Sequence, residues 1–497
     1  MWKKLYSELT AEEAAALIAN GDTVGIGGFS SVGTPKAVPA ALAQRAEALH
    51  REGKEFKVGL ISGGATGEQT DFRLAEAGAV AFRTPFQSNS RMREAINGGE
   101  VAYFDVHLSQ IGQDVRYGFL GRVNVAIVEA SDITDEGELV LSTSVGITPT
   151  LVAAADKVIV ELNEAHMGRL TGMHDLYVPD MPPHRREIPI YKVNDRIGCC
   201  TLQVAPKKVA GVVRTNSRDH IAAFKAPDET TQRIGQHVAD FLLGEWKRGG
   251  IPKEFLPLQS GVGNIANAVL GAMGAERELP AFNMYTEVIQ NSVVDLMLEG
   301  RIGFATGSSL TLSEEKLDAV YDHLDVLGKR LLLRPQEITN HPEIIRRLGV
   351  IAINTALEAD ICGNVNSTHV LGNRMMNGIG GSADFSRNAF LSIFTTPSTA
   401  KGGLISAIVP QVTHVDSTEH DVRILVTEQG VADLRGKSPM QRARCIIENC
   451  AHPDYKELLW DYLKRTTGCH TPFLMDEAFA LHRAFRQNGD MRTATFG

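Results

Sequence analysis

The chain has 497 residues, more than one hydrophobic core usually supports, so two or three domains are expected. With 43% apolar and 22% charged residues, its composition is that of an ordinary soluble globular protein. The 50 basic and 59 acidic residues give a net charge of -9, which argues against a broad surface for nucleic acid or for an anionic membrane.

The N-terminal segment is predicted to be a short helix, because Thr10 and Glu13 have the spacing of a capping box and Gly21 follows as a stop signal. This acidic pattern is not that of a secretory signal peptide. No apolar run approaches the roughly 20 residues that span a bilayer. The six cysteines form no CxxC pair, so neither a zinc site nor a disulfide framework is indicated. We therefore expect a cytoplasmic protein.

Short runs rich in Val, Ile and Leu alternate with segments of helical length. The runs in the first half of the chain are DTVGIGGF, FKVGLIS, VNVAIVEA, DKVIVEL and KVAGVVR. This alternation is typical of parallel βα units, so the predicted fold class is α/β.

The second half of the chain repeats the first in a degenerate form. VGIGGFSSVGTPKAVPAAL (24–42) and LQSGVGNIANAVL (258–270) each contain apolar residues, a glycine loop and an Ala-rich helix. We therefore expect two related open α/β domains that arose by duplication. A polar stretch that begins at Arg214 suggests the boundary, so the predicted domains are residues 1–220 and 221–497.

Two other segments interrupt the pattern. Residues 166–187 are rich in Pro, Met and charged side chains and predict a long loop, for which a surface excursion is favoured over a lid. HVDSTEHD (414–421) contains residue types that bind metals, but its spacing matches no established site, so metal binding is not favoured.

Two acidic residues end strand-like runs. AFNMYTEVIQNS (281–292) contains Glu287, and an isolated charge at the edge of a core must be paired, face a wet cleft or react. Glu428 ends DVRILVTE; it could act as an acid or base, orient a neighbour, or pair with Arg435. No Ser or Cys has the setting of an acyl-transfer nucleophile, which leaves a carboxylate.

Two glycine clusters could bind a ligand through backbone amides. Gly261 and Gly263 lie where a strand should give way to a helix, a position that suits a phosphate. With Ala266 they also match a dinucleotide fingerprint, with Glu287 near the position of the ribose-binding acid; an NAD-dependent dehydrogenase and a turn without ligand are both alternatives. NGIGGS (377–382) could stabilise an oxyanion or admit a thin ligand.

A glutamate nucleophile suits one class of substrate. Glutamate is ionised at neutral pH and needs no partner base, but it is a weak nucleophile toward amides and ordinary esters. A thioester carbonyl is more electrophilic, so attack by Glu287 could give an anhydride if donors stabilise the oxyanion. The released thiolate could then form a glutamyl thioester, without ATP or metal.

Eight motifs together extend over almost the whole chain: GFSSVGTPK, LQSGVGNIANAV, YTEVIQ, LRPQEITN, NVNSTHV, MMNGIGGSADF, STAKGG and TEQGVADLRG. They resemble the acetyl-CoA hydrolase/transferase family of class I CoA-transferases, particularly bacterial succinyl-CoA:acetate and propionyl-CoA:succinate CoA-transferases. The resemblance implies two related α/β domains of the CoA-transferase type and a homodimer. It also implies ping-pong transfer of CoA between short-chain acids through a glutamyl-CoA thioester, with acetyl-CoA hydrolysis as an alternative.

The resemblance implies a role for individual residues. Glu287 is the expected nucleophile, Asn340 and the backbone of Gly381 are the expected oxyanion donors, and Glu428 is expected to position the asparagine. The implied CoA contacts are Gly261, Val262, Gly263, Asn264, Ile265, Asn377, Gly381 and Lys401. Coenzyme A is then both substrate and covalent intermediate, carboxylic acids are the other partners, and no metal, nucleic acid or membrane is expected.

Overall fold

A computed structural model describes residues 2–221 and 226–497; Met1 and residues 222–225, which follow the predicted domain boundary, lie outside the described residues. The chain forms two compact units, each made from several segments. The first comprises Met1–Ala223, Asn283–Leu348 and Asn377–Asp384, and the second comprises Phe224–Phe282, Gly349–Met376 and Phe385–Gly497. The contiguous domains 1–220 and 221–497 remain predictions.

The first unit contains a mainly parallel sheet. Its strands, in spatial order, are Ala102–Tyr103, Val80–Thr84, Val58–Ser62, Thr23–Ile26, Val125–Ile133, Lys157–Asn163 and Val209–Thr215. These neighbours pair in parallel, and Leu139–Leu141 pairs antiparallel with Val125–Ile133. Further strands of this unit are Val288–Ile289, Ile302–Gly307, Ser309–Leu310 and Leu331–Leu333. Strand Phe282–Tyr285 precedes Glu287.

Helices follow most of these strands, as parallel connections require. The α-helices of the first unit are Ala11–Ala16, Ala37–Arg51, Arg73–Glu76, Ser90–Asn97, Leu108–Arg116, Thr148–Ala154, Asn291–Leu298, Glu314–Asp322, Leu324–Leu327, Gln336–Thr339 and Pro342–Leu348. Single turns of 3-10 helix occur at Trp2–Lys4, Glu164–His166 and Pro206–Lys208, and Glu68–Phe72 is a π-helix. The capping box of Thr10 and Glu13 is confirmed, although its helix ends at Ala16, before Gly21.

The second unit contains four parallel strands and one antiparallel strand. In spatial order they are Leu258–Ser260, Ile351–Thr355, Leu391–Thr395, Ile424–Thr427 and Gly430–Asp433. Its shorter strands are Glu358–Asp360, Val365–Asn366, His369–Val370, Arg374–Met375, Thr399–Ala400, Ile405–Ser406 and Ile408–Val409. Its helices are Glu229–Lys247, Asn264–Ala275, Pro439–Cys450, Pro453–Arg465 and Ala480–Asn488, with a 3-10 turn at Met491–Thr493. Helix Ser382–Asn388 begins at the last residues of the NGIGGS cluster.

The predicted α/β class with parallel strands is therefore confirmed. Alternating βα units have this outcome because helices cover both faces of a sheet whose strands are apolar on both sides. Helix Glu229–Lys247 is amphipathic, with Ile234, Val238 and Leu242 fully buried. In the part of the chain that the structure describes, every helix is too short or too polar to cross a bilayer.

Residues 166–187 lack helix and strand beyond His166, as a predicted loop should, but they form a surface excursion only in part, mainly over residues 178–187. The middle of the segment is buried, and Asp175 forms a buried ion pair with Arg334. His174 Nε2 lies 3.0 Å from the carbonyl oxygen of Ser142. The pattern of Pro, Met and charge was misleading because the charged partner, Arg334, is 159 positions away in the chain.

Candidate active site

Two elements of the first unit present Glu287 and Asn340 to each other. Glu287 follows strand Phe282–Tyr285, and Asn340 ends the short helix Gln336–Thr339. The buried hydroxyl of Tyr285 donates to the carbonyl oxygen of Ile338 at 2.8 Å, which ties the strand to the helix. The main-chain carbonyl of Glu287 also accepts from the backbone N-H of Ser308 at 2.7 Å. Residue 287 is therefore held in place through its backbone.

Three predicted site residues are brought together here. The Nδ2 atom of the fully buried Asn340 donates a hydrogen bond to Oε1 of Glu287. A Cβ atom placed on Gly381 would overlap both Oε1 of Glu287 and Nδ2 of Asn340. Only glycine leaves room for the carboxylate and the amide at this point, so the backbone of residue 381 lies directly against the reactive groups.

The amide of Asn340 is oriented from both ends. Its Oδ1 atom accepts from the Thr339 hydroxyl at 2.8 Å, so the nitrogen must point the other way. Nδ2 also donates to Oδ2 of Asp384 at 3.3 Å. Asp384 in turn accepts from the backbone N-H of Ser109 at 3.0 Å and from its hydroxyl at 2.6 Å.

Sequence reasoning missed Asp384 and Ser109. Asp384 lies three residues after Gly381 inside the motif MMNGIGGSADF, so a signal for it was present. Ser109 had no such signal, because it lies 275 positions from Asp384.

The carboxyls of the half-buried Glu287 and the buried Asp384 are electrostatically unusual. Burial, with a further contribution from the charge of Asp384, raises the pKa of Glu287 to about 7 against the opposing hydrogen bond from Asn340. Burial likewise raises the pKa of Asp384 to about 6, although hydrogen bonds from Ser109 and the nearby His107 favour its charged form. A carboxylate with a raised pKa is more basic and hence a better nucleophile than an exposed one.

The helix that carries Asn340 is fixed by the rest of its motif, LRPQEITN. The Nε2 atom of Gln336 donates to the carbonyl oxygens of Gly63 at 2.9 Å and of Leu108 at 3.0 Å. Glu337 forms a bidentate ion pair with Arg116, with N–O distances of 2.7 and 2.8 Å. These bonds leave the short helix little freedom, which is what a precisely placed donor needs.

The NGIGGS loop is held in place by residues that follow the strand Ala102–Tyr103 and by that strand itself. The backbone N-H of Ile379 donates to Asp105 at 2.7 Å, and a side chain at Gly378 would collide with the hydroxyl of Tyr103. Oδ1 of Asn377 is buried without a hydrogen-bond partner among the described residues. An unsatisfied buried acceptor is costly, so this oxygen is available to a ligand N-H.

The other predicted CoA contacts lie in the second unit. Gly261, Val262 and Gly263 connect strand Leu258–Ser260 to helix Asn264–Ala275, so the predicted strand, loop and helix are all present. Gly263 has φ of 120°, a conformation that disfavours other residues, and the helix begins directly after it. Lys401 occupies the turn between two short strands, and its Nζ lies 5.2 Å from the centroid of the Phe485 ring. Their contact with CoA stays a prediction.

Glu428 follows strand Ile424–Thr427 and accepts hydrogen bonds inside the second unit. Its partners are the hydroxyl of Ser398, the backbone N-H of Ser398 at 2.8 Å, and Gln429 at 3.0 Å. Burial raises the pKa of Glu428, but these hydrogen bonds outweigh it and hold the pKa below its ordinary value. The suggested pairing with Arg435 is wrong, because Arg435 pairs with Asp433 and Glu245. The role of Glu428 in positioning Asn340 remains a prediction.

Side chains of metal-binding types occur in two places. Among the described residues, Glu129, His166 and Asp219 have ligand atoms within 4.8 Å of one another. The ammonium group of Lys36 lies 2.6 Å from Glu129 and 2.8 Å from Asp219, so both carboxylates already pair with a cation of the protein. In HVDSTEHD, Asp416 accepts from the backbone of Ser367 and the hydroxyl of Thr368, which gives it a local structural role.

Comparison with known protein families gives two matches. The N-terminal domain of the acetyl-CoA hydrolase/transferase family matches residues 2–214, and its C-terminal domain matches residues 317–463.

Curated relatives cover nearly the whole chain. The propanoyl-CoA:succinate CoA transferase of Escherichia coli is 47% identical over 98% of this chain and 99% of its own. The succinyl-CoA:acetate CoA-transferase of Clostridium kluyveri is 47% identical over 97% of this chain and 90% of its own. The acetyl-CoA hydrolase of Schizosaccharomyces pombe is 45% identical over 95% of this chain and 94% of its own.

A solved structure supports the same fold. RipA from Yersinia pestis is similar with a TM-score of 0.72 and 24% identity, over 94% of this chain and 99% of that chain.

Proposed function

The chain belongs to the acetyl-CoA hydrolase/transferase family, and from this premise we propose that it is a CoA-transferase that moves coenzyme A between short-chain carboxylic acids. Candidate reactions are transfer from succinyl-CoA to acetate and from propanoyl-CoA to succinate, the substrates in the names of the two bacterial relatives. The observation that carries the proposal is the half-buried Glu287 carboxylate held by the Asn340 amide against the backbone of Gly381. The dehydrogenase alternative is not proposed, because the family gives it no support.

The first half-reaction begins at the carboxylate. An oxygen of Glu287 attacks the thioester carbonyl, and the oxyanion that forms takes hydrogen bonds from Asn340 and from the Gly381 backbone. Collapse breaks the carbon-sulfur bond and leaves an acyl-glutamyl anhydride and the CoA thiolate. The thiolate then attacks the carbonyl carbon of Glu287, which releases the first acid as its carboxylate and leaves a glutamyl-CoA thioester.

The second half-reaction reverses these steps with another acid. The incoming carboxylate attacks the glutamyl thioester, the thiolate leaves and then attacks the new acyl group, and Glu287 returns as a free carboxylate. The substrate and the product are both thioesters of CoA. The energy of the thioester bond is therefore conserved, and transfer needs no external energy source.

Hydrolysis is the second candidate function, because one relative is named as an acetyl-CoA hydrolase. Water would then take the place of the second acid in attacking the glutamyl thioester. Whether water can reach the glutamyl thioester therefore determines whether the enzyme hydrolyses acyl-CoA or transfers its CoA.

One set of assays distinguishes the possibilities. The purified protein is mixed with succinyl-CoA and acetate, with propanoyl-CoA and succinate, and with acetyl-CoA alone, and the acyl-CoA products are separated by chromatography. We expect new acyl-CoA only when an acceptor acid is present, and slow release of free CoA without one. Release of free CoA at the same rate with and without acceptor would favour hydrolysis.

The covalent step is tested separately. Borohydride added with acyl-CoA should reduce the glutamyl thioester and inactivate the enzyme, and mass spectrometry should find the change at residue 287. Glu287→Gln should show no such modification and no transfer. A modification at another residue would contradict the assignment of Glu287.

A further inference from the structure

We propose that Asp384 is a positioning residue that turns the Asn340 amide toward Glu287 and, through its negative charge, keeps the Glu287 carboxylate strongly nucleophilic. The inference rests on the proposed nucleophilic role of Glu287 and adds a residue that neither the sequence nor the relatives' names identify. Its basis is one atom, Nδ2 of Asn340, which donates to carboxylates on both residues.

Hydrogen bonds from Ser109 fix the orientation of the Asp384 carboxylate. It is buried, and Ser109 donates to both of its oxygens, at 3.0 Å from the backbone and 2.6 Å from the hydroxyl. Donors that point at a carboxylate favour its charged form. Asp384 can therefore act as a fixed acceptor for Asn340, whose other end accepts from Thr339.

The charge of Asp384 matters because the site is buried. Two carboxylates that share one amide donor repel each other, and weak screening inside the protein makes this repulsion larger than in water. Attack on a thioester moves the negative charge from Glu287 to the oxyanion, and collapse transfers it to the departing CoA thiolate. The repulsion between the two carboxylates is therefore relieved when the neutral anhydride has formed. Asp384 thus raises the energy of the resting carboxylate more than that of the acylated one.

Other titratable groups among the described residues lie near this pair. His107 faces Asp384, with Nδ1 3.9 Å from Oδ1. On the helix of Asn340, Glu337 is neutralised by Arg116 and Arg185. His341 follows Asn340 in the chain. Burial lowers the pKa of His341 to about 4, so this side chain is neutral at the pH values near 7 where Glu287 titrates.

The test is the pH profile of kcat/KM for acyl transfer, which reports ionisations of the free enzyme. In the unmutated enzyme we expect activity to fall tenfold per pH unit on the acid side of a midpoint near the raised pKa of Glu287, about 7. Asp384→Asn keeps the size of the side chain and removes the charge. We expect its midpoint to move down by about one pH unit and its plateau kcat to fall about 10-fold.

Controls separate charge from structure. Asp135→Asn removes one charge from an exposed turn and should leave the profile unchanged. Asp384→Ser removes the same charge with a smaller side chain and should shift the midpoint in the same direction. Circular dichroism and thermal melting establish that each variant is folded.

The possible outcomes are distinct. A lower kcat with an unmoved midpoint in both Asp384 variants would reduce this residue to a structural role and overturn the proposal, as would unchanged activity or failure of both variants to fold. Absence of transfer or of labelling at residue 287 in the unmutated enzyme would instead overturn the proposed function. The two failures are therefore separable.

Discussion

The side-chain amide of Asn340 donates a hydrogen bond to the Glu287 carboxylate, although the two residues are 53 positions apart in the chain. The bond between the Tyr285 hydroxyl and the Ile338 carbonyl, one residue before the helix ends, keeps their two elements together. A donor held this way can stabilise a transient oxyanion without first reorganising, which is the main source of its catalytic effect.

Removal of this donor gives the first prediction. We expect Asn340→Ala to lower kcat for CoA transfer by about 100-fold to 1000-fold, with a smaller change in KM, because one oxyanion donor is lost. Steady-state kinetics with saturating acceptor acid measures the effect. Asn194→Ala, in an exposed turn, is the matched control and should behave as the unmutated enzyme. A near-normal kcat in the Asn340 variant would remove that residue from the oxyanion site.

The second prediction concerns Gly381. A Cβ atom at this position overlaps both Glu287 and Asn340, so Gly381→Ala should displace the carboxylate and reduce kcat/KM by about 100-fold or more. Gly244→Ala provides the control, since a Cβ at Gly244 meets no atom within 4 Å and lies in a helix. That control should retain activity and gain about 0.5–1 kcal/mol of stability. Equal activity in the two variants would show that residue 381 is not against the reacting groups.

The third prediction follows from the raised pKa of Glu287. Its carboxyl has a pKa of about 7 in the folded protein against an ordinary value of 4.5, so the folded state binds the proton more tightly than the unfolded state. The free energy of unfolding then falls as pH rises from about 4.5 to 7, and the cost persists above that range. Glu287→Gln has no such charge, so it should be more stable than the unmutated protein at pH 8 by about 1–3 kcal/mol.

Urea unfolding at pH 5 and pH 8 measures this difference. The advantage of the Gln variant should be much smaller at pH 5, where most of the native Glu287 is protonated. An advantage of equal size at both pH values would mean that the buried charge is not its origin.

The fourth prediction tests the interior of the first unit. Arg83 is fully buried and pairs with Asp71 at 2.8 Å, while its other donors reach the carbonyls of Gly64 and Thr84. Asp71→Asn leaves this guanidinium without its counter-charge and should lower the free energy of unfolding by about 3–5 kcal/mol. The exposed pair of Arg122 and Asp156 is the control, and Asp156→Asn should leave stability unchanged within error. A stable Asp71 variant would contradict the importance of the buried pair.

Local patterns in the sequence determined much of the fold and part of the site. The alternation of apolar runs and helical segments predicted the parallel α/β class, and the spacing of Thr10 and Glu13 predicted a helix start. These features depend on neighbouring residues, so spacing is enough to identify them. Glu287 was evident for a similar reason, because an acid at the end of an apolar run needs an explanation.

Only the tertiary structure decided how the site residues support one another. Ser109 and Asp384 are 275 positions apart, and Asp175 and Arg334 are 159 apart, yet each pair is in direct contact. The sequence by itself determined which side chains can react, since that is a property of their chemistry and their local setting. Which donors and charges surround a reactive carboxylate depends on how distant segments pack, because hydrogen bonds and desolvation act through space and not along the chain.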